Sequence, residues 1–538
     1  MKIKFIKIDR NEQLPLQAYN EVYLQPDNWD DFGYKTLFTL TVFNEQGNKQ
    51  PIGNVKIGFT EQGDSYSKEH IPSSFETLTN TCYSLGQDAD YYKKIVESLS
   101  EELRNNILMT LGDVVHDSNR FSIAQNEDAF NTSLMRTISN STICQQFRRI
   151  LRGEAALTEY DFSYERMHND YSAIKLDFKI EPNSKPSSNI HILIGRNGVG
   201  KTTLLNNMVD ALIPNRGVVE DTGFFSTIDQ GGNVKKLHDS YFSGIVSVSF
   251  SAFDLFNPPT DQPDANAGMR YFYVGLKKMT QEDPHQWGLK LKKQMTQEDP
   301  HQWGLKDKCD LCKDFTTSLK LCFSLTAKKD RWVNAVRKLE SDFNFSEMDL
   351  WQINDKYADD SSEDKQHFSK TASRLFNKMS SGHAIVLLSI TKLVETVEEK
   401  TLVLLDEPES HLHPPLLSAF TRALSDLLVN RNGVAIIATH SPVVLQEVPK
   451  SCVSILRRTR LDLNVDRPES ETFAENVGVL TREVFGLEVS KSGFHDLLTL
   501  SVNEGKSYEE IAQEYHYQLG FEGKALLRSM ILIRDSKR

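Results

Sequence analysis

Between an apolar run, Ile190-His191-Ile192-Leu193-Ile194, and a helix-like run from Thr203 to Val209, the chain reads Gly195-Arg196-Asn197-Gly198-Val199-Gly200-Lys201-Thr202. A G-x-x-x-x-G-K-[ST] loop that follows a strand and opens a helix is a phosphate cradle. Its glycines let backbone N–H groups approach phosphate oxygens, and the new helix points its positive end at the same place. Lys201 would neutralise the β- and γ-phosphates, and the Thr202 hydroxyl would ligate Mg²⁺. The pattern predicts a nucleoside triphosphate ligand on an α/β P-loop fold.

The 538 residues allow two to four domains, and 39% hydrophobic with 25% charged residues fits an ordinary globular protein. A formal charge of −12 argues against a surface that coats nucleic acid indiscriminately. The six cysteines are scattered, as expected of reduced thiols in a cytoplasmic protein. Cys309 and Cys312 form a lone C-x-x-C with no second pair, read as thiols rather than metal ligands. The charged N-terminus does not look like a signal peptide, and no apolar stretch is long enough for a membrane span.

Residues 1–155 form a predicted α+β region. Tyr34–Phe43 and Ile52–Phe59 alternate around a turn-prone Asn44–Asn48 as a hairpin would, and from Ser73 to Arg152 the pattern turns helical, with Tyr91–Val115 the clearest amphipathic piece. Residues 156–256 form the phosphate-loop lobe, with Asp161–Ile180 strand-like and Ser243–Phe250 a further buried strand. Residues 257–375 read as a helical insertion. It carries a direct repeat, Met279–Lys290 recurring as Met295–Lys306 (279–306 in all), expected to be a duplication tolerated in a surface loop; paired Trp287 and Trp303 offer partner contact as the alternative. Residues 376–460 complete the ATPase, and 461–538 are expected to be a helical tail.

The second half of the chemistry lies in 376–460. Thr401–Leu405 is an apolar strand running into Asp406 and Glu407, which would place both acids beside the phosphates; Asp406 would hold Mg²⁺ and Glu407 would polarise the attacking water. Met379-Ser380-Ser381-Gly382-His383 opens the helix-like run Ala384–Val397, a second helix start able to take an anion. Because one triphosphate is already cradled, the economical reading is that Ser380, Ser381 and Gly382 close on a second copy's γ-phosphate in a head-to-tail homodimer; an ordinary helix cap is the alternative. His440, at the end of the strand before Ser441-Pro442, could reach the γ-phosphate.

Taken in order, the phosphate loop, M-S-S-G-H in place of L-S-G-G-Q, L-L-D-E-P-E-S-H-L-H-P and A-T-H-S-P resemble an ABC-class ATPase head of the RecF, SMC-like and OLD-type branch. With Y-K-T-L-F-T-L and S-L-G-Q-D-A-D-Y-Y near the front, the chain is similar to the PtuA family, the ATPases of Septu anti-phage systems and related retron-linked systems. The resemblance implies that Gly195, Arg196, Asn197, Gly198, Val199, Gly200, Lys201, Thr202 and Thr203 hold the phosphates, Thr202 and Asp406 the metal, and that Glu407 is the catalytic base and His440 the switch histidine. It also implies assembly as a dimer or a higher oligomer, a companion HNH nuclease of PtuB type, and, in a retron setting, a reverse transcriptase with its DNA. Two departures stand out: the strand ending at Phe250 lacks the usual glutamine, leaving Ser251 or Asp254 in its place, and Ser381 and His383 replace a signature glycine and glutamine. Slow hydrolysis is the expectation. Two other readings compete. One is a DNA-repair ATPase using Arg457, Arg458 and Arg460 or Arg148, Arg149 and Arg152; the other is a transporter motor, which the D-E-P-E-S-H-L-H-P form disfavours. Val502–Ser507 superficially resembles the start of a Toprim nuclease but has no Asp-x-Asp after it, so no nuclease activity is expected of this chain; a helical tail is the reading, and either it or the N-terminal region would dock a partner.

Overall fold

The computed structural model describes residues 3–63, 65–140, 142–152, 159–166, 173–182, 184–213, 222–228, 232–238, 241–251, 256–264, 268–280, 302–350, 352–353, 362–459, 462–486 and 493–536. The interior of the repeat (281–301, with Trp287), Asp254 and Arg460 lie outside them.

The N-terminal region is a sheet wrapped by helices. Strands β1 (Lys4–Lys7), β2 (Glu21–Pro26), β3 (Leu37–Phe43), β4 (Lys49–Phe59), β5 (Ser74–Phe75) and β6 (Cys82–Gly86) form one sheet in the order β5-β1-β2-β3-β4-β6. The expected β3–β4 hairpin is present, Leu37 facing Lys56 and Phe43 facing Lys49. Tyr91–Val115 is not one helix. It breaks into Ala89–Ser98 and Glu101–Leu111 because Leu99 is extended and the Ser100 hydroxyl caps the second piece by accepting from Leu103 N at 3.4 Å. β5 and β6 also interrupt the stretch read as helical. Their cross-strand pairing with β1 and β4 overrides local pattern.

β7 (Tyr160–Arg166) and β8 (Ile174–Ile180) pair as an antiparallel hairpin, and β8 alternates buried and exposed residues along its length. β9 (Ile190–Gly195), buried at every position, leads into the phosphate loop. After the helix Lys201–Leu212 come β10 (Phe224–Ile228) and β11 (Val234–Lys236), completing a four-stranded sheet β11-β10-β7-β8. β12 (Gly244–Ser249) and β13 (Arg270–Gly275) follow, then the small hairpin β14 (Lys277–Thr280) with β15 (Gln302–Leu305). β16 (Thr401–Asp406), β17 (Val434–Thr439), β18 (Val453–Thr459) and β19 (Asp462–Asp466) complete the core.

The core sheet runs β13-β12-β16-β17-β9-β18-β19, parallel except for β19. β17 separates the phosphate-loop strand from β16, so the acids ending β16 lie one strand over from β9, at the same edge of the sheet as the loop. A parallel sheet must be covered on both faces. One face packs β9, β12 and β16 residues against a helical lobe that includes Lys308–Phe323, Thr326–Leu339 and Ser381–Thr396. The other packs against Lys201–Leu212 and the β7–β8–β10 sheet. The expected helical tail begins instead with β19, which pairs with β18 as the edge of the core sheet; helices Phe494–Asn503, Tyr508–Glu514 and Phe521–Ser536 follow with a small core of their own around Leu498, Val502, Ile511 and Leu527. Cys309 is exposed, Cys312 is buried, and both are free thiols.

Buried ion pairs of Asp88 join the N-terminal region to the ATPase, and Glu398 extends the network on the ATPase side. Asp88 meets Arg331 at 2.8 Å and Arg431 at 3.2 Å, while Glu398 meets Lys328 at 2.7 Å and Arg431 at 2.5 Å. The two guanidiniums hold the Asp88 carboxyl well below its usual range despite burial. Beside them, Glu399 accepts from Asn432 Nδ2 at 2.9 Å and from Gln146 Nε2 at 2.5 Å, and burial pushes its carboxyl up to about 7.

Candidate nucleotide site

At the C-terminal edge of the sheet the loop turns on Gly198 (φ +79°) and Gly200 (φ +102°), a left-handed path that side chains with a Cβ rarely adopt. Gly195 is pressed against β18, where a Cβ would stand 2.5 Å from the Leu456 carbonyl oxygen. Lys201 begins the helix, is 4% exposed, and donates to the carbonyls of Gly195 at 3.0 Å and Arg196 at 3.1 Å. Its ammonium is thereby folded back over the loop, where a phosphate would sit.

Thr202 is the next helical residue, and its hydroxyl donates to Asp406 Oδ2 at 2.8 Å across a sequence gap of 204 residues. Hard oxygen donors converging at one point fit Mg²⁺, which is bound by few protein ligands and completed by water and phosphate. Glu407 leaves β16 in the left-handed region (φ +44°, ψ +58°), a cost of roughly 1–3 kcal/mol for a non-glycine residue. Its amide donates to the Ala438 carbonyl at 2.8 Å, which ties the strained turn to β17. The strain turns the carboxylate back toward the loop, 3.8 Å from Lys201 Nζ and 3.6 Å from His440 Nδ1.

The residue that organises this corner is Glu409, which sequence reasoning quoted only as part of a motif. Its Oε1 accepts from the Thr439 hydroxyl at 2.6 Å and from the His440 amide at 2.6 Å, and lies 3.1 Å from His440 Nδ1. A 7%-exposed carboxylate thus holds a half-exposed histidine at the rim. Its position after D-E-P was the available signal.

Ser380, Ser381 and Gly382 open the helix Ser381–Thr396, with Ser380 as the extended N-cap residue. A Cβ on Gly382 would stand 2.3 Å from the His411 carbonyl oxygen, so the helix start is packed directly onto the segment that follows Glu407 and Glu409. The Ser380 hydroxyl lies 2.6 Å from His383 Nδ1, and His383 Nε2 lies 3.1 Å from Asp342 Oδ1. Asp342 Oδ2 is 2.9 Å from His413 Nε2. Asp342 and His413 were not singled out from the sequence, since spacings of 41 and 30 residues from His383 give no local pattern. Ser251 follows β12 directly.

A cavity of about 710 Å³ opens beside the loop, lined by Arg196–Val199, Leu456–Thr459 and Val484–Gly486. Its volume suits a nucleotide-sized ligand. Arg458 comes close to Gly200, and Arg457 is paired with Asp466 at 3.0 Å. Those two arginines line the loop's own cavity rather than a separate groove.

A parallel sheet with the loop strand, the acid strand and the histidine strand in this order, and Thr202 touching Asp406, is the fold of an ABC-type P-loop ATPase. The family model described as "AAA domain, putative AbiEii toxin, Type IV TA system" matches residues 337–446. Over 545 residues the chain is 43% identical to protein ea59 of Escherichia phage lambda, spanning 99% of each. Solved structures overlap it weakly. An ATP-binding cassette of an ABC transporter in its ADP conformation matches at 12% identity, covering 62% of this chain and 100% of its own with a TM-score of 0.29. UvrA2 from Deinococcus radiodurans matches at 13%, covering 56% and 37% with a TM-score of 0.24. Likenesses this faint add nothing to what the strand order establishes. No described helix is long and apolar enough to cross a membrane.

Proposed function

The chain belongs to the family of protein ea59 of Escherichia phage lambda, and on that premise we propose that it is an ATPase whose hydrolysis cycle makes and breaks a head-to-tail homodimer. The observation that carries the ATPase reading is the 2.8 Å contact between Thr202 and Asp406, with Lys201 and Glu407 facing each other beside it, while the dimer rests on the likeness of Met379–His383 to a signature segment. Lys201 exchanges its two carbonyl partners for phosphate oxygens. Base and ribose enter the cavity lined by Arg196, Arg458 and Phe485. Thr202 and Asp406 would hold Mg²⁺, which when bound would supply charge neutralisation at the phosphates. Glu407 accepts a hydrogen bond from the attacking water and takes its proton, and His440, fixed by Glu409, stabilises charge on the γ-phosphate. The partner copy's Ser380–Gly382 helix start completes the cage.

The assembled dimer controls a partner nuclease of HNH type in anti-phage defence. This rests on the PtuA resemblance, and it is in keeping with a family match over residues 337–446 whose description names a toxin system. In a retron setting the reverse transcriptase and its DNA would join the complex. Engagement of Arg457 by Asp466 leaves little to favour a DNA-gripping surface there.

The test is direct. Wild type should hydrolyse MgATP slowly; Lys201→Ala should lose nucleotide binding, and Glu407→Gln should keep ATP and accumulate as dimer by light scattering. A wild-type chain that binds no ATP, or a Glu407→Gln chain with undiminished turnover, removes the mechanism. Co-expression with neighbouring reading frames should recover a nuclease on this chain, and failure to do so sinks the defence assignment alone.

A further inference from the structure

His383 stands where ATPases of this class carry a signature glutamine, and its surroundings fix which of its nitrogens bears a proton. Burial of Asp342 works against its charge, but the Phe345 amide, which donates to Oδ1 at 3.0 Å, and the hydrogen bond from His383 outweigh it and hold the carboxyl low. An ionised carboxylate can only accept hydrogen bonds. Both imidazoles facing it therefore present N–H: His383 through Nε2 at 3.1 Å and His413 through Nε2 at 2.9 Å. The far nitrogen of His413 agrees, since its Nδ1 accepts from the Leu416 amide at 3.4 Å.

The same three side chains offer ligand atoms that lie within 4.8 Å of one another, which invites a metal reading. The hydrogen-bond directions weigh against it. A histidine that binds metal through Nε2 carries its proton on Nδ1, yet His413 Nδ1 faces an N–H donor. The two imidazoles also meet different oxygens of Asp342.

For a neutral His383 the remaining lone pair is on Nδ1, 2.6 Å from the Ser380 hydroxyl. Ser380 has one proton to give, and it goes inward to His383. We infer that His383, oriented by Asp342, is a positioning residue for the signature serine: neutral, it keeps the Ser380 hydroxyl turned away from a partner's γ-phosphate, and protonated, it donates from Nδ1 to Ser380 Oγ and releases the O–H to that phosphate. Engagement then takes up one proton from solvent per signature. This deepens the head-to-tail reading and rests on it.

The sign follows from linkage. The dimer, with an anion near the imidazolium, binds more protons than the monomers, so low pH favours it and rising pH weakens it. With two signatures the dimerisation constant can fall by up to roughly a hundredfold per pH unit. Among the described residues, the titratable groups facing His383 are Asp342, from the turn before helix Phe343–Glu347, and His413, from the cap of helix Pro414–Arg431, while the ring of His411 lies against the Phe250 carbonyl instead.

The experiment uses the full chain in the Glu407→Gln background with MgATP, and measures the dimer constant from pH 6 to pH 8. We expect a fall of at least tenfold, absent in the added His383→Gln variant and retained in His413→Gln. An equal pH slope with His383→Gln, or one lost only with His413→Gln, overturns the inference. A second readout does not need the dimer: imidazole ¹⁵N resonances of the nucleotide-free chain, assigned by their loss in His383→Gln. They should show an unprotonated Nδ1 and a protonated Nε2 near neutrality. A protonated Nδ1, or zinc co-purifying in stoichiometric amount and shifting those resonances, refutes the arrangement. If Glu407→Gln stays monomeric at every pH, the head-to-tail reading fails, and the resonances still decide the tautomer.

Discussion

Replacing Gly382 with alanine places a methyl carbon 2.3 Å from the His411 carbonyl oxygen. Ordinary contact of that kind needs about 3.4 Å or more, so the helix start and the Pro408–His411 turn must part by about 1 Å. Neither side is a flexible side chain that can swing away; both are backbone, one at a helix terminus and one in a short 3₁₀ turn. Overpacking of this kind costs roughly 1–3 kcal/mol. The functional cost is larger, because the displaced turn begins next to Glu407 and contains Glu409, and a shift of about 1 Å in catalytic geometry can lower turnover about a hundredfold. The phosphate loop is untouched. Gly382→Ala should therefore melt a few degrees lower, bind MgATP within about twofold of wild type, and turn over about a hundredfold more slowly. Isothermal titration, a thermal melt and a phosphate-release assay measure the three quantities. Wild-type turnover with an unchanged melting temperature would show that the contact between the signature helix and the turn after Glu407 does not exist.

Glu409→Ala removes the acceptor of both Thr439 and the His440 amide, leaving His440 unanchored; turnover should fall about ten- to a hundredfold with nucleotide affinity intact, read by steady-state kinetics against binding. Glu399 is an acid whose pKa is raised on folding, so its contribution is most favourable below about 4.5 and is lost as pH rises toward about 7, an effect of order 3 kcal/mol. Glu399→Gln should flatten that decline in denaturant melts from pH 5 to pH 8, because an amide at this position has no proton to exchange over that range. Asp88→Ala leaves Arg331 and Arg431 buried without their shared carboxylate and should destabilise the chain by about 3–5 kcal/mol, checked by urea unfolding.

The nucleotide edge was legible because its chemistry is local: a glycine path, a lysine and a threonine in eight residues, and two acids ending an apolar run. β9, β12, β16 and β17 likewise read as short buried runs. What was not legible is set by distance along the chain. Asp342 acquires its role only when the lobe folds it against His383 and His413, and Asp88 only when the N-terminal sheet meets the two arginines. Leu99 breaking a periodic helix depends on one serine's hydroxyl, a local competition that periodicity averages away. β19 looked like the start of a tail because its five residues carry little apolar content; pairing with β18, not hydrophobic pattern, makes it a strand.

The hairpin of β14 with β15 draws on both copies of the repeat. Met279 faces Trp303 and Thr280 faces Gln302, so one strand uses the opening of the first repeat copy and the other uses the close of the second. A single copy, Met279-Thr280-Gln281-Glu282-Asp283-Pro284-His285-Gln286-Trp287, already contains both partners, separated by a span that a β-hairpin can turn within. Excising residues 281–296 would leave Met279-Thr280 followed by Gln-Glu-Asp-Pro-His-Gln-Trp-Gly-Leu, so the same residue pairs are available to β14 and β15 whichever copy supplies the second strand.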